Sequence, residues 1–150
     1  MKPNHLGHVH IKVNDLNKAE KFYTNMLGLE ITEKVGNEFI FLSLGKHHHD
    51  VALMNVGKNA PYPKEFSTGL FHFAFEVKSM KEFAKFYKKF KLHKLPITTV
   101  DYGISKAMYT RDPSHNVVEI YVDTRNKVKH WKGHTKLLAE EAILEYLKEE

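Results

Sequence analysis

An internal repeat constrains the fold of this chain more strongly than any other feature of its sequence. When the chain is aligned with itself at an offset of 64 residues, His8 aligns with His72 and Val13 with Val77. At the same offset, the tripeptide Lys-Phe-Tyr at 21–23 aligns with an identical tripeptide at 85–87. Because the matching residues keep the same order in both halves, the economical interpretation is two copies of one structural unit.

The spacing of apolar residues predicts the same series of elements in each copy. In the first copy, an alternating segment at 7–13 predicts a strand, and Asn14-Asp15 caps an amphipathic helix over 16–27 that Gly28 ends. In the second, a strand over 70–77 precedes a helix that Ser79 caps. This helix runs from Met80 to about Phe90. Three further strands follow each helix, at 29–34, 38–44 and 50–56 and at 95–100, 105–111 and 116–123.

These elements predict an α+β fold made of two βαβββ modules. We expect module 1 at about 5–56 and module 2 at about 69–123, joined by a proline-containing linker at 57–68. A single module would leave one sheet face exposed, so we expect the two curved mixed sheets to pair around a metal-binding cup within domain 1–123. Residues 124–150 form a C-terminal extension. It contains Trp131 and a predicted helix over 136–147 that Thr135 caps.

The composition excludes several classes of protein. The 150 residues fit one domain, and the absence of cysteine excludes disulfides, thiolate metal sites and a cysteine nucleophile. No apolar run approaches the ~20 residues of a membrane span, and the N-terminus does not resemble a signal peptide. We therefore expect a cytoplasmic protein that binds no membrane.

A lysine-rich segment accounts for part of the net charge of +5. Aromatic residues recur in the same segment at helical spacing, which predicts a helix with one buried face and one solvated lysine face. This interpretation argues against nucleic-acid binding. The lysines are Lys78, Lys81, Lys85, Lys88, Lys89, Lys91 and Lys94, and the aromatic residues are Phe83, Phe86, Tyr87 and Phe90.

The repeat also singles out two of the eleven histidines as metal ligands. His8 and His72 occupy equivalent positions on the first strand of each module, so pairing of the modules would bring them together. Glu119 lies in the apolar strand Asn-Val-Val-Glu-Ile-Tyr, where a carboxylate is costly to bury unless it is paired or bound to metal. The alternative for Glu119 is an edge-strand carboxylate that faces water.

Two imidazoles and one carboxylate favour a transition metal over calcium or magnesium. The predicted cofactor is one divalent ion, and this ligand set suits Fe(II), Mn(II), Zn(II) or Ni(II). Three protein ligands leave coordination positions open for a substrate.

Four segments carry a resemblance to a known family: 6–16, 22–29, 72–77 and 111–121. Their sequences are Leu-Gly-His-Val-His-Ile-Lys-Val-Asn-Asp-Leu, Phe-Tyr-Thr-Asn-Met-Leu-Gly-Leu, His-Phe-Ala-Phe-Glu-Val and Arg-Asp-Pro-Ser-His-Asn-Val-Val-Glu-Ile-Tyr. They resemble the vicinal oxygen chelate superfamily, which includes glyoxalase I, extradiol ring-cleaving dioxygenases and fosfomycin- and bleomycin-resistance proteins. The resemblance implies metal ligands at His8, His72 and Glu119.

Local details resemble the extradiol dioxygenases related to catechol 2,3-dioxygenase. The resemblance implies an acid/base role for His49, with a histidine-rich loop tip as the alternative, and a substrate-binding role for Tyr109, with a core tyrosine as the alternative. Glyoxalase I would carry a second glutamate near Leu53, Met54 and Asn55, where this chain has none. An open three-ligand site therefore fits better than a four-ligand glyoxalase site.

One residue departs from the dioxygenase pattern. In the segment 101–106, Tyr102 occupies the position of a substrate-contacting histidine. A phenol with a reference pKa of ~10 is a poor proton shuttle near neutral pH, so the reaction or the substrate could differ.

The resemblance implies an extradiol-type dioxygenase that uses Fe(II), the first choice among the four metals, and binds a catechol-like small molecule through adjacent oxygens. The paired modules and the extra helix lead us to expect a homodimer. Two alternatives stay open. The first is a glyoxalase-like lyase or isomerase, or a glutathione-type transferase, that uses the metal as a Lewis acid. The second is a resistance protein that sequesters a small molecule.

Overall fold

The two copies of the repeat form two separate β-sheets in the computed structural model, which describes residues 1–148. Unit 1 comprises Met1–Gly69 together with Asp112–Asn116. Unit 2 comprises Leu70–Arg111 and the residues from Val117 onward. Each unit contains the predicted βαβββ series, so the prediction of an α+β fold built from two such modules is confirmed.

The elements of unit 1 are β1 (Val9–Val13), α1 (Leu16–Lys21), a π-helical turn (Phe22–Met26), β2 (Glu30–Val35), β3 (Phe39–Ser43) and β4 (Val51–Asn55). The strands form a four-stranded mixed sheet with the order β1-β4-β3-β2, in which β1 pairs with β4 in parallel and the other neighbours are antiparallel. Side chains such as Val13, Leu42 and Leu53 are fully buried and form the core.

The first helix differs from the regular helix predicted over 16–27. Its last turn, Phe22–Met26, is π-helical, and it ends at Gly28, which has a φ of 78° and donates its N–H to the Thr24 carbonyl over 3.0 Å. The Thr24 hydroxyl also donates to the Glu20 carbonyl over 2.9 Å. Such a side-chain bond competes with the backbone ladder, which gives a physical reason for the widened turn.

The elements of unit 2 are β5 (Phe73–Glu76), α2 (Met80–Leu92), β6 (Thr98–Asp101), β7 (Ser105–Arg111), β8 (Val117–Asp123), β9 (Lys136–Leu137), α3 (Glu140–Leu144) and a 3₁₀ turn (Glu145–Leu147). The strands form a five-stranded sheet with the order β5-β8-β7-β6-β9, in which β5 and β8 are parallel. Helix α2 buries Phe83 and Phe90 completely and leaves Lys85 and Lys88 exposed, as its sequence pattern predicts.

The C-terminal helix begins later than predicted. The expectation of a helix over Lys136–Leu147 capped by Thr135 is wrong in its first turn, because Lys136–Leu137 instead pairs with β6. Leu137 is 81% exposed, so it does not belong to the apolar stripe, whereas Ile143 of α3 is fully buried. The Tyr87 hydroxyl of α2 donates to the Glu140 carboxylate over 2.9 Å and thereby joins α3 to α2. Burial, assisted by Glu140, raises the pKa of Tyr87 to about 12.

Within residues 1–148, no helix has the length and apolar character needed to cross a bilayer.

The turn Asp112–Asn116 connects two strands of unit 2 but packs as part of unit 1. Its centre is the buried Asp112 carboxylate. One oxygen accepts the backbone N–H groups of Ser114 and Asn116 over 2.8 and 2.9 Å. The other accepts the Tyr23 hydroxyl and the Asn116 side-chain amide, both over 2.9 Å. Burial raises the pKa of Asp112, and it also raises the pKa of Tyr23 well above its ordinary value.

Further bonds connect this turn to the first strand and helix. The Asn14 backbone N–H donates to the Ser114 hydroxyl over 2.9 Å, and Asn116 donates its side-chain amide to the Lys12 carbonyl over 3.0 Å. His115 has a left-handed φ of 65° and stacks on the Tyr62 ring at 3.9 Å. The turn is therefore held by residues at the end of β1, in the π-helical turn and in the segment that follows β4.

Candidate metal centre

Two of the three predicted metal ligands form a close pair in unit 2. His72 immediately precedes β5, and Glu119 lies on β8, the parallel neighbour of β5. The His72 Nε2 atom is 2.8 Å from Glu119 Oε2. Glu119 is only 8% exposed and lies between the buried residues Val118 and Ile120. The alternative of a carboxylate that faces water is thus not what the structure shows.

The geometry of this pair suits a shared divalent cation. Ligand atoms that each lie ~2.1 Å from a metal and subtend a right angle are separated by ~3 Å, close to the observed separation. The Nδ1 atom of His72 is buried and has no hydrogen-bond partner among the described residues. A buried polar atom left unpaired costs about 1–3 kcal/mol, and such exceptions are frequent at functional sites.

The position of His8 is described within unit 1. Like His72, it immediately precedes the first strand of its unit, and its ring centroid is 4.4 Å from that of His49. Neither unit by itself brings three or more histidine, aspartate or glutamate side chains of residues 1–148 into a metal-binding group. The full set of His8, His72 and Glu119 therefore stays a prediction.

Ala52 on β4 pairs with His10 of β1 as Glu119 on β8 pairs with Ala74 of β5, so the register places Ala52 where Glu119 lies in unit 2. Asn55, the last residue of β4, donates its side-chain amide to the Asn37 carbonyl over 2.9 Å, and its side-chain oxygen accepts the Gly57 N–H over 3.0 Å. The side chain is thus engaged in holding a turn. Unit 1 consequently has no carboxylate at the place where a four-ligand site would require one.

His49 lies in the histidine-rich loop before β4. Its Nδ1 atom is 2.9 Å from Nδ1 of His48, and its ring packs edge-on against Phe41 at 5.0 Å. Desolvation, followed by the neighbouring His8 and His48, lowers the pKa of His49. The imidazole therefore favours its neutral form, which can accept a proton. Its proposed acid/base role is not tested by this geometry.

Tyr109 lies beside the metal-ligand pair. In the register of β7 and β8 it is directly opposite Glu119, and its ring is 5.3 Å from that of His72. Its hydroxyl is 3.0 Å from the hydroxyl of Tyr102, so the two phenols form one hydrogen-bonded pair. Burial, followed by the contacts with Tyr102 and Glu119, raises the pKa of Tyr109. Tyr109 is therefore neutral, and either hydroxyl of the pair can be the donor.

Two aromatic residues near this site carried no specific prediction. Phe71 packs edge-on against His72 at 5.3 Å, and Trp131 of the extension packs edge-on against Tyr102 at 6.0 Å. The only sequence signal for Trp131 is that it is the single tryptophan of the chain. Together with Tyr102 and Tyr109, these rings give the surroundings of His72 an aromatic character.

Comparison with known proteins gives a consistent match. The profile of the Glyoxalase/Bleomycin resistance protein/Dioxygenase superfamily matches residues 5–120. Catechol-2,3-dioxygenase of Bacillus subtilis (strain 168) is 27% identical over 122 residues, which are 79% of this chain and 41% of that protein. Biphenyl-2,3-diol 1,2-dioxygenase 3 of Rhodococcus globerulus is 28% identical over 120 residues, 79% of this chain and 63% of that protein. The chain thus spans less than two thirds of either curated relative.

A solved structure shares the fold. The lactoylglutathione lyase from Agrobacterium tumefaciens superposes with a TM-score of 0.65 at 25% sequence identity, covering 81% of this chain and 96% of that one. A similar backbone thus occurs in a lyase, while the two relatives above are named as dioxygenases.

Proposed function

Because this chain belongs to the Glyoxalase/Bleomycin resistance protein/Dioxygenase superfamily, we propose that it is a metal-dependent enzyme that cleaves the ring of a catechol-like small molecule. The observation that carries the proposal is the close pair of His72 and Glu119 with Tyr109 beside it. In this proposal His8 completes the ligand set from unit 1. The ion is Fe(II), because two imidazoles and one carboxylate with open positions are the ligand set of non-haem iron oxygenases.

The bound ion would supply redox chemistry with oxygen and a charge that favours binding of adjacent substrate oxygens. The chain's own residues would orient the substrate. Tyr109 stays protonated because burial raises its pKa, so its O–H can donate to a substrate oxygen. Tyr102 holds the Tyr109 hydroxyl through their 3.0 Å hydrogen bond. His49, whose pKa is lowered, is available as a neutral base for a substrate hydroxyl proton.

Oxygen uptake tests the proposal directly. Protein loaded anaerobically with Fe(II) to full occupancy is mixed with oxygen and with catechol or 2,3-dihydroxybiphenyl. We expect one oxygen molecule consumed per substrate, together with the absorbance of a ring-cleaved product. Absence of uptake at full metal occupancy with every catechol of such a panel would rule the reaction out.

Substitution of Tyr109 by phenylalanine should lower kcat/KM for the catechol by about 100-fold. The reason is that removal of one preorganised hydrogen-bond donor from a reacting oxygen commonly costs about this much. The matched control is Tyr121→Phe, because the Tyr121 hydroxyl lies on β8 but donates to Glu76 over 3.3 Å. A similar loss in both variants would show that Tyr109 has no specific role in the reaction.

A lyase, isomerase or transferase that uses the metal as a Lewis acid is the second candidate. The structural match to a lactoylglutathione lyase favours it, and so does Tyr102 in place of the histidine of similar dioxygenases. Ala52, which has the register position of Glu119 in unit 1, cannot bind a metal through its side chain, and this argues against the four-ligand version of this chemistry. Turnover that continues without oxygen would identify this second candidate, and metal-free protein that still binds a small molecule would instead indicate a sequestering protein.

A further inference from the structure

The first residues after β8 attach the C-terminal extension to the loop that carries Tyr102. The Thr124 backbone N–H donates to the Ile104 carbonyl over 2.8 Å, and its hydroxyl donates to the Gly103 carbonyl over 2.6 Å. Gly103 itself adopts a left-handed φ of 78°, and an added Cβ there would lie 3.8 Å from the Val128 side chain. The extension is therefore packed closely against this loop from its start.

A second attachment lies on the other side of Tyr102. Strand β9 pairs antiparallel with β6, and Leu137 is opposite Val100. The Thr99 hydroxyl of β6 donates to the Leu138 carbonyl over 2.7 Å. Residues 125–135, which we call the strap, are thus fixed at both ends to the same β6–β7 hairpin that presents Tyr102.

Trp131 lies within the strap, next to Tyr102. Its Nε1 atom donates to the His134 carbonyl over 3.0 Å, so its only polar atom is satisfied inside the strap. The ring meets Tyr102 edge-on, with an interplanar angle of 76°, and stays 53% exposed. Its faces are therefore not all used for internal packing, and an aromatic face can stack on a planar ligand.

We propose that the strap is a specificity element and that Trp131 provides an aromatic contact for the ring of the substrate. This inference rests on the proposed function, since it assumes a substrate with adjacent oxygens at the metal. The contacts run without interruption from Trp131 through the Tyr102–Tyr109 pair to His72 and Glu119. The strap lies beyond residues 5–120, which match the superfamily, so the preference belongs to the extension of this chain.

The proposal predicts different behaviour for ligands that carry a planar ring and for ligands that do not. Catechol carries two adjacent oxygens on a planar ring, whereas acetohydroxamate carries two adjacent oxygens without one. If Trp131 contacts the ring, its removal should weaken binding of catechol alone. If Trp131 serves only to anchor the strap, its removal should weaken binding of both ligands equally.

Calorimetric binding to Zn(II)-loaded protein tests this without turnover, because zinc has no redox chemistry. We expect Trp131→Leu to raise the Kd of catechol about tenfold, since stacking of a planar ring on an aromatic side chain is commonly worth this factor or more. The Kd of acetohydroxamate should stay within about twofold. Trp131→Phe should restore most of the catechol affinity. The matched control is Tyr62→Leu, which removes a comparably exposed ring, 51% exposed, from unit 1.

A second measurement needs no variant. Since Trp131 is the single tryptophan, its fluorescence reports on the strap alone. When it is excited at the red edge of its absorption, saturating catechol should change its emission, and saturating acetohydroxamate should leave it nearly unchanged. This readout decides the question even if Trp131→Leu does not fold, which circular dichroism would reveal.

Three results would overturn the proposal. The first is an unchanged catechol affinity in Trp131→Leu, and the second is an equal loss of affinity for both ligands. The third is tryptophan emission that does not respond to saturating catechol. Failure of the proposed function appears separately, as absence of oxygen uptake by the wild-type Fe(II)-loaded protein, which the binding measurements on Zn(II)-loaded protein do not report.

Discussion

Replacement of Glu119 by alanine is expected to weaken binding of a divalent metal by more than about 100-fold. Loss of a residue that merely supports a metal ligand already costs about 10- to 100-fold, so loss of a ligand should exceed this range. The pairing of Glu119 with His72 at 2.8 Å predicts the same loss in His72→Ala. Equivalence under the repeat predicts it again in His8→Ala. Competition titration with a coloured chelator measures all three affinities.

Glu76→Ala is the matched control for this experiment. Glu76 is also a strand carboxylate of unit 2, but it is exposed and accepts the Tyr121 hydroxyl over 3.3 Å. Its replacement should leave the metal affinity unchanged. Normal affinity in His8→Ala, alongside a loss in the other two variants, would show that unit 2 binds the ion without a ligand from unit 1.

Replacement of Asp112 by alanine is expected to lower the free energy of unfolding by about 3 kcal/mol. The carboxylate is buried and accepts four hydrogen bonds, so its removal leaves several buried donors unpaired, at a cost of about 1–3 kcal/mol each before relaxation. Urea unfolding followed by circular dichroism measures the change. In Asp123→Ala, which removes a surface ion pair with Arg125, the unfolding curve should not move.

The same substitution should alter the pH dependence of stability. Because burial raises the pKa of Asp112 in the folded protein, the folded state binds a proton more readily than the unfolded chain does. The titration of Asp112 therefore lowers the free energy of unfolding as the pH rises from the pKa of Asp112 in the unfolded chain to its higher pKa in the folded protein. Asp112→Ala should remove that contribution. If Asp112→Ala and the wild type have equal free energies of unfolding, the hydrogen bonds to Asp112 are dispensable for stability.

The periodicity of the sequence was sufficient to predict most of the fold. Apolar spacing encodes which face of a strand or helix is buried, so α2 begins at Met80 as predicted and β7 has its predicted bounds. It does not encode hydrogen-bond register, so the π-helical turn Phe22–Met26 was missed. It also does not encode pairing with distant strands. For this reason Lys136–Leu137 was assigned to a helix instead of to the edge of β6.

The candidate site was predictable where the repeat and the cost of burial acted together. Equivalence selected His72, burial in an apolar strand selected Glu119, and the two prove to be neighbours. The hydrogen bond between Tyr102 and Tyr109 was not predictable, because it depends on the conformation of a loop. Neither was the contact of Trp131 with Tyr102, because residues 125–135 have no periodic pattern that would fix their path.

The membership of Asp112–Asn116 in unit 1 has a consequence for biosynthesis. A nascent chain emerges from the ribosome N-terminus first, yet Tyr23 and Asn14 donate hydrogen bonds to Asp112 and Ser114, which are made long afterwards. The N-terminal half therefore cannot complete its hydrogen bonds while it is being translated. Its hydrogen bonds to the turn Asp112–Asn116 can form only after most of the second half has emerged. Strand β2 lies at the sheet edge and is exposed, so an incompletely bonded N-terminal half can pair through it with other nascent chains, and expression at high translation rates should favour aggregation.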